Sequence, residues 1–157
     1  MKSSALACMF AMALLTAAGA ATQLPSAARA VDTPTTPNAP DLSAVRSKIK
    51  LKDWKSAIAE LNAMIDAGVQ HADVYNLLGF SLRKSGDLDT AYTFYRKALD
   101  FDPEHKGALE YLGELYVQTG ELGKARENAA QLQKLCPTGC EQLEDLEEAI
   151  ASATKSD

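Results

Sequence analysis

The chain has 157 residues, 24% of them charged, and acids outnumber bases by 21 to 16 for a formal net charge of −5. That balance excludes the basic stripe on which nucleic-acid binding depends and disfavours an anionic membrane surface as a partner. A hydrophobic content of 46% suffices for one domain with its own core.

The first thirty residues read as a secretory leader. Met1-Lys2-Ser3-Ser4 is a short basic start, an apolar stretch runs from Ala5 to Leu15, and Ala28-Arg29-Ala30 supplies a small-residue cleavage signal. The apolar part falls short of the roughly 20 residues a spanning helix needs, and Cys8 lies too early for a lipid-anchoring cysteine. The pattern predicts a signal peptide over residues 1–30, cleavage after Ala30, export to the bacterial periplasm, and no stable membrane insertion afterwards. Lys2 and Arg29 leave with the leader and no acid does, so the remaining domain is more acidic still. Residues 31–40, VDTPTTPNAP, hold three prolines among small polar residues. They read as an extended Pro-rich flexible linker, the other reading being a ligand for a proline-binding groove.

Beyond residue 40 the chain repeats itself. Ala57, Ala91 and Ala125 stand 34 residues apart, as do Leu78 and Leu112, Gly79 and Gly113, Pro103 and Pro137, and His71 and His105. The clearest unit runs over residues 72–105. Val74, Tyr75, Leu78 and Leu82 share one face of a first helix, Ser85-Gly86-Asp87 breaks it, and Leu88, Ala91, Tyr95, Ala98 and Leu99 follow on a second. Gly86 suits a left-handed helix end, Asp87 an N-cap, and Pro103 a stop. Small Gly79 and Ala91 predict a close crossing of the two helices.

This unit resembles the tetratricopeptide repeat. The family's aromatic, leucine and glycine fall on Tyr75, Leu78 and Gly79, its alanines on Ala91 and Ala98, and its proline on Pro103. Residues 106–139 repeat the theme with Leu109, Leu112, Gly113, Tyr116, Ala125, Ala129 and Pro137, departing at Leu132 where a small residue is usual. Residues 38–71 form a degenerate first unit with Trp54, Ala57, Ile58, Leu61 and Ile65 in register. Leu143, Leu146 and Ile150 continue the frame into a solvating cap helix over 140–153, its outer face carrying Glu141, Glu144, Asp145, Glu147 and Glu148, before a disordered tail at 154–157. The expected fold is all-α: a tetratricopeptide-repeat solenoid of about three helix pairs plus a C-terminal capping helix.

The resemblance implies a non-catalytic interaction module that binds a partner protein or extended peptide on its concave side. Helical geometry puts Asn76, Phe80 and Arg83 on that side, with Glu110, Glu114 and Val117 matching them in the third unit and Leu42, Arg46 and Ile49 in the first. The expected groove is basic and aromatic toward Arg46, Phe80, Arg83 and Lys84, and acidic toward Glu110 and Glu114. Phe80 is either an exposed anchor or covered by its neighbours. The family's carboxylate clamp is matched only by Asn76, so a basic or mixed-charge segment fits better. Self-association through the stack is a further possibility.

Catalytic signatures are absent from the sequence: it holds no Gly-rich phosphate loop, no GxSxG and no HExxH. No cofactor is expected. His71 and His105 echo the repeat, and a metal site at His105 with Asp100, Asp102 and Glu104 is the weaker alternative to an ordinary acidic turn. The remaining acids read as solvated outer surface. Without the leader, Cys136 and Cys140 are the two cysteines left, spaced C-x-x-x-C around a Pro-Thr-Gly turn. An oxidising compartment favours a structural disulfide between them, with thiol exchange or metal handling as the alternative function.

Overall fold

The structure, a computed structural model, is described over residues 39–155. The expected leader and nearly all of the linker lie outside the described residues. Seven helices follow one another: α1 (Ser43–Lys50), α2 (Trp54–Asp66), α3 (Ala72–Ser85), α4 (Leu88–Phe101), α5 (Lys106–Gln118), α6 (Leu122–Leu135) and α7 (Glu141–Thr154). They pair as α1/α2, α3/α4 and α5/α6, with α7 as an unpaired cap, and no strand occurs among the described residues. The cap helix ends one residue further than expected, at Thr154, whose Oγ1 donates to the Ile150 carbonyl.

The same turn recurs at the same place in each pair. Gly86 (φ 98°) and Gly120 (φ 81°) end α3 and α5 in the left-handed conformation that costs glycine little. In the first unit the equivalent position is Lys52, which takes φ 58° without being glycine. The residue after it begins the second helix. Asp53 Oδ1 accepts from Ser56 N–H and Asp87 Oδ1 from Thr90 N–H, both at 3.2 Å. Glu121, in the third unit, makes no such cap. Its longer side chain reaches Lys124 and Thr119 instead.

Small residues hold the pairs together. Ala57, Ala91 and Ala125 are wholly buried in the first turn of the second helices, in one core with Leu61, Leu78, Leu112 and Tyr95. A Cβ on Gly79 would stand 2.7 Å from Tyr95 Cδ1, so the tyrosine ring lies flat against the glycine backbone. In the third unit Ala129 replaces that tyrosine, and the vacated space is filled from outside the pair. A Cβ on Gly113 would lie 2.5 Å from Leu146 Cδ2 of α7. Leu146, Leu143, Leu132, Leu109 and Cys136 form the core under the cap, so large Leu132 is accommodated by an extra helix packing over it.

First helices α3, α5 and α7 touch one another in sequence, whereas α2, α4 and α6 make no comparable contacts among the described residues. A stack drawn together along one side curves toward it. The first helices therefore line the concave face. The short α1 departs from the expected pattern. Leu42 is buried and Ile49 packs against the core instead of lining the groove, because this terminal helix holds on to α2 through its apolar side chains, together with the Lys48–Glu60 ion pair.

Candidate functional site

The residues expected on the concave face are found on helices α1, α3 and α5, and most of them are committed to one another. The Arg83 guanidinium pairs with the Glu114 carboxylate of the next unit, and its Nε donates to Tyr95 Oη at 3.3 Å. It also lies 5.9 Å from the ring centres of both Phe80 and Tyr111. This alters the expected charge layout. A basic half facing an acidic half would leave Arg83 and Glu114 apart, but successive first helices pack closely enough to join them, and the two charges offset each other.

Phe80 is half-buried. Trp54 meets it edge-on at 6.1 Å, Tyr111 lies 4.9 Å away, and the Lys84 ammonium stands 5.4 Å over its ring. Those side chains cover it in part, and Trp54 and Tyr111 join the inner face although the repeat pattern did not mark them. Burial, with Arg83 beside it, pulls the Lys84 ammonium below its ordinary range. Arg46 is half-buried on α1.

Asn76 and Glu110 differ from these. Asn76 is 0% exposed, and both Nδ2 and Oδ1 lack a hydrogen-bond partner. Glu110 is 6% exposed. Its burial, followed by the charges of Glu114, Asp145 and Glu141, pushes its carboxyl up to about 8. Asp145 was expected on a solvated outer face; it is half-buried on α7 and acts on Glu110.

The histidines do more than echo the period. His71 Nδ1 accepts from Asp73 N–H at 3.2 Å, and His105 Nδ1 accepts from Ala108 N–H at 3.0 Å, so each caps a first helix. The other nitrogen of buried His105, Nε2, lies 3.0 Å from Asp73 Oδ1. With Nδ1 accepting, Nε2 carries the proton and donates it to that carboxylate. Asp73, also expected as solvated surface, is buried and links the two caps. Asp102 turns to the Glu104 N–H at 3.1 Å, so the acidic turn does not gather around His105. Among the described residues no group of three or more His, Cys, Asp or Glu is arranged to hold a metal ion.

Cys136 closes α6 and Cys140 opens α7, with Cα atoms 5.9 Å apart, inside the span that a disulfide bridges. Gly139 (φ 93°) supplies the left-handed turn between them. No described helix is long and apolar enough to cross a membrane.

Comparison with known proteins bears on this arrangement directly. The tetratricopeptide repeat family matches residues 42–106 and again residues 82–135, together more than half of the chain. The chain belongs to the tetratricopeptide repeat family. Among individual proteins it is similar to BBSome complex member BBS4 of Bos taurus, 36% identical over 90 residues that make up 57% of this chain and 17% of that protein. It is also similar to Uncharacterized protein ycf37 of Pyropia yezoensis, 31% identical over 81 residues, or 52% of this chain and 43% of that one. A shorter likeness, 42% over 55 residues, is to Probable biofilm formation methyltransferase WspC of Pseudomonas putida, covering 35% of this chain and 13% of that protein. The chain thus spans less than half the length of each of these relatives. Tetratricopeptide repeat proteins are generally non-catalytic scaffolds for protein–protein interaction, and the repeat fold suggests protein partners here.

Proposed function

We propose that this protein is a non-catalytic scaffold, exported to the bacterial periplasm, that binds an extended segment of a partner protein along the concave face of its repeats. The observation that carries the reading is the inner face itself. Adjacent first helices α3 and α5 bring Asn76, Phe80, Arg83, Glu110 and Glu114 to one face, on which Phe80 and Glu114 are partly open to solvent. Arg46 extends the same face toward the first unit. The leader pattern and the two remaining cysteines support export, and fractionation of cells producing the full chain, with mass measurement of the N-terminus, tests it.

A photo-cross-linking residue placed at Phe80 tests the face. The expected result is partner capture that is lost when the same residue is moved to Lys97 on the outer side of α4. Equal capture from both positions argues against a groove. In this reading Cys136 and Cys140 are a structural disulfide that clasps the cap, which a buried Cys136 within the core under α7 favours over a thiol-active centre. Resistance of the pair to mild reductant is the expected outcome; rapid exchange supports thiol chemistry instead.

A further inference from the structure

His71 and His105 open α3 and α5 with the same contact, yet their surroundings differ. Each Nδ1 accepts from a helix N–H, that of Asp73 at 3.2 Å and that of Ala108 at 3.0 Å. His71 is half-buried, and Asp73 Oδ2 stands 3.5 Å from its Nδ1. His105 is 4% exposed, with Nε2 on Asp73 Oδ1 and Nδ1 on Ala108. Among the described residues Asp73 is the one ion-pair partner of His105, and it lies at Nε2.

The helix starts differ as well. Helix α3 carries Asp73 in its first turn, whereas α5 has no acid there and begins Lys106-Gly107. Negative charge favours a helix N-terminus and positive charge opposes it, and glycine is the poorest helix former after proline. Helices α4 and α6 meet this end of α5 at Ala98 and Asn128, neither of them charged. In the preceding turn Asp102 and Glu104 are exposed, and Asp102 is turned to the Glu104 N–H. The His105 carbonyl lies 3.0 Å from the Ala108 N–H but also takes the Leu109 N–H at 3.1 Å. The ring nitrogen is the acceptor that Ala108 does not share.

We propose that His105 is an acid-released cap: a second proton on its ring enters at Nδ1, turns the acceptor of the Ala108 N–H into a donor facing it, and frees the first turn of α5. Solvent supplies the proton, Nε2 keeps its own, and Asp73 stays a carboxylate that now holds an imidazolium. The ring is retained by α3 while α5 loses its cap and gains positive charge at the end that disfavours it. His71 is spared, because a proton on its Nδ1 finds Asp73 Oδ2. Imidazole changes charge between about pH 5 and 8. The capped form binds one proton fewer than the released form, so release grows as pH falls, by at most about tenfold per pH unit. Glu110, further along α5, acts in the other direction, because burial pushes its carboxyl up to about 8 and acid leaves it neutral. The device does not depend on the groove reading.

The test is NMR on the isotope-labelled full chain across the imidazole window, from about pH 8 to about pH 5. It follows the His105 ring nitrogens and the protection of the Ala108 amide, corrected for intrinsic exchange. The expected result is a proton gained at Nδ1 and Ala108 protection falling in step, while the Tyr75 amide of α3 holds. His105→Asn keeps a cap acceptor that does not titrate and is expected to hold Ala108 protection level. Asp73→Asn keeps an acceptor for the Nε2 proton without a titrating carboxyl, and the loss is expected to persist in it. Nδ1 protonated under intact protection, or no loss across the window, overturns the proposal. So does an equal loss in His105→Asn, or a loss that vanishes in Asp73→Asn.

Discussion

Gly79 and Tyr95 meet without room for a methyl group: a Cβ on the glycine would stand 2.7 Å from the ring of a tyrosine that is itself 0% exposed. The ring is enclosed and has nowhere to retreat. Gly79→Ala is expected to destabilise the whole domain by about 1–3 kcal/mol as overpacking, against a helix-propensity gain of about 1 kcal/mol. The equivalent Gly113→Ala presses on Leu146 of the terminal helix instead, which can move outward. It is expected to lose amide protection in α7 while α3 and α4 keep theirs. Urea denaturation and hydrogen exchange on the two variants separate these outcomes.

Lys52 holds the left-handed position that Gly86 and Gly120 hold in the other units. Such a conformation costs a non-glycine residue about 1–2 kcal/mol. Lys52→Gly is expected to gain about 0.5–1 kcal/mol, the rest being returned as added freedom of the unfolded chain. A higher urea midpoint with an unchanged slope is the sign to look for.

Glu121 begins α6 without capping it, whereas Asp53 and Asp87 cap at the matching positions. Glu121→Asp brings the carboxylate back to the Lys124 N–H and is expected to stabilise by about 0.5–1 kcal/mol. No gain in thermal midpoint would falsify the equivalence of the three turns.

Glu110 makes stability depend on pH with an unusual sign. Its carboxyl is raised from 4.5 to about 8, so the unfolded chain ionises it first and binds fewer protons than the folded one across that window. Stability contributed by the protonated group is complete below about pH 4.5 and falls as pH rises toward 8, by at most about 1.4 kcal/mol per pH unit. Glu110→Gln is expected to flatten this fall and to be the more stable protein near pH 8. Denaturation midpoints of both proteins across the window provide the comparison.

The Cys136–Cys140 pair encloses a very short loop. Cys136→Ala with Cys140→Ala is expected to cost at most about 2 kcal/mol in the chain-entropy picture. The loss is local, appearing as fraying of α7 in hydrogen exchange, with the α3/α4 pair unaffected.

The architecture was open to sequence reading because the repeat writes its packing into small residues. Ala57, Ala91 and Ala125 are buried as their common interval requires, and Gly86 and Asp87 form the turn their chemistry specifies. Contacts between units were harder to read. Arg83 meets Glu114 across 31 residues and Asp73 meets His105 across 32, offsets that fall short of the 34-residue period by three and two residues. A search at the period itself passes over them. Interior charge was hidden for a related reason: Asp73, Glu110 and Asp145 look like solvated helix surface until the next first helix is laid beside them. Leu146 filling the place left by Ala129 depends on a third helix, which no pairwise pattern anticipates.

Asp73 receives the His105 proton through one oxygen while its own N–H is held by His71. One residue, through its backbone N–H and its carboxylate, therefore participates in starting two helices in neighbouring units. Freeing either end removes part of the other's anchorage, so the second and third units are tied into one cooperative block and should exchange their amides together.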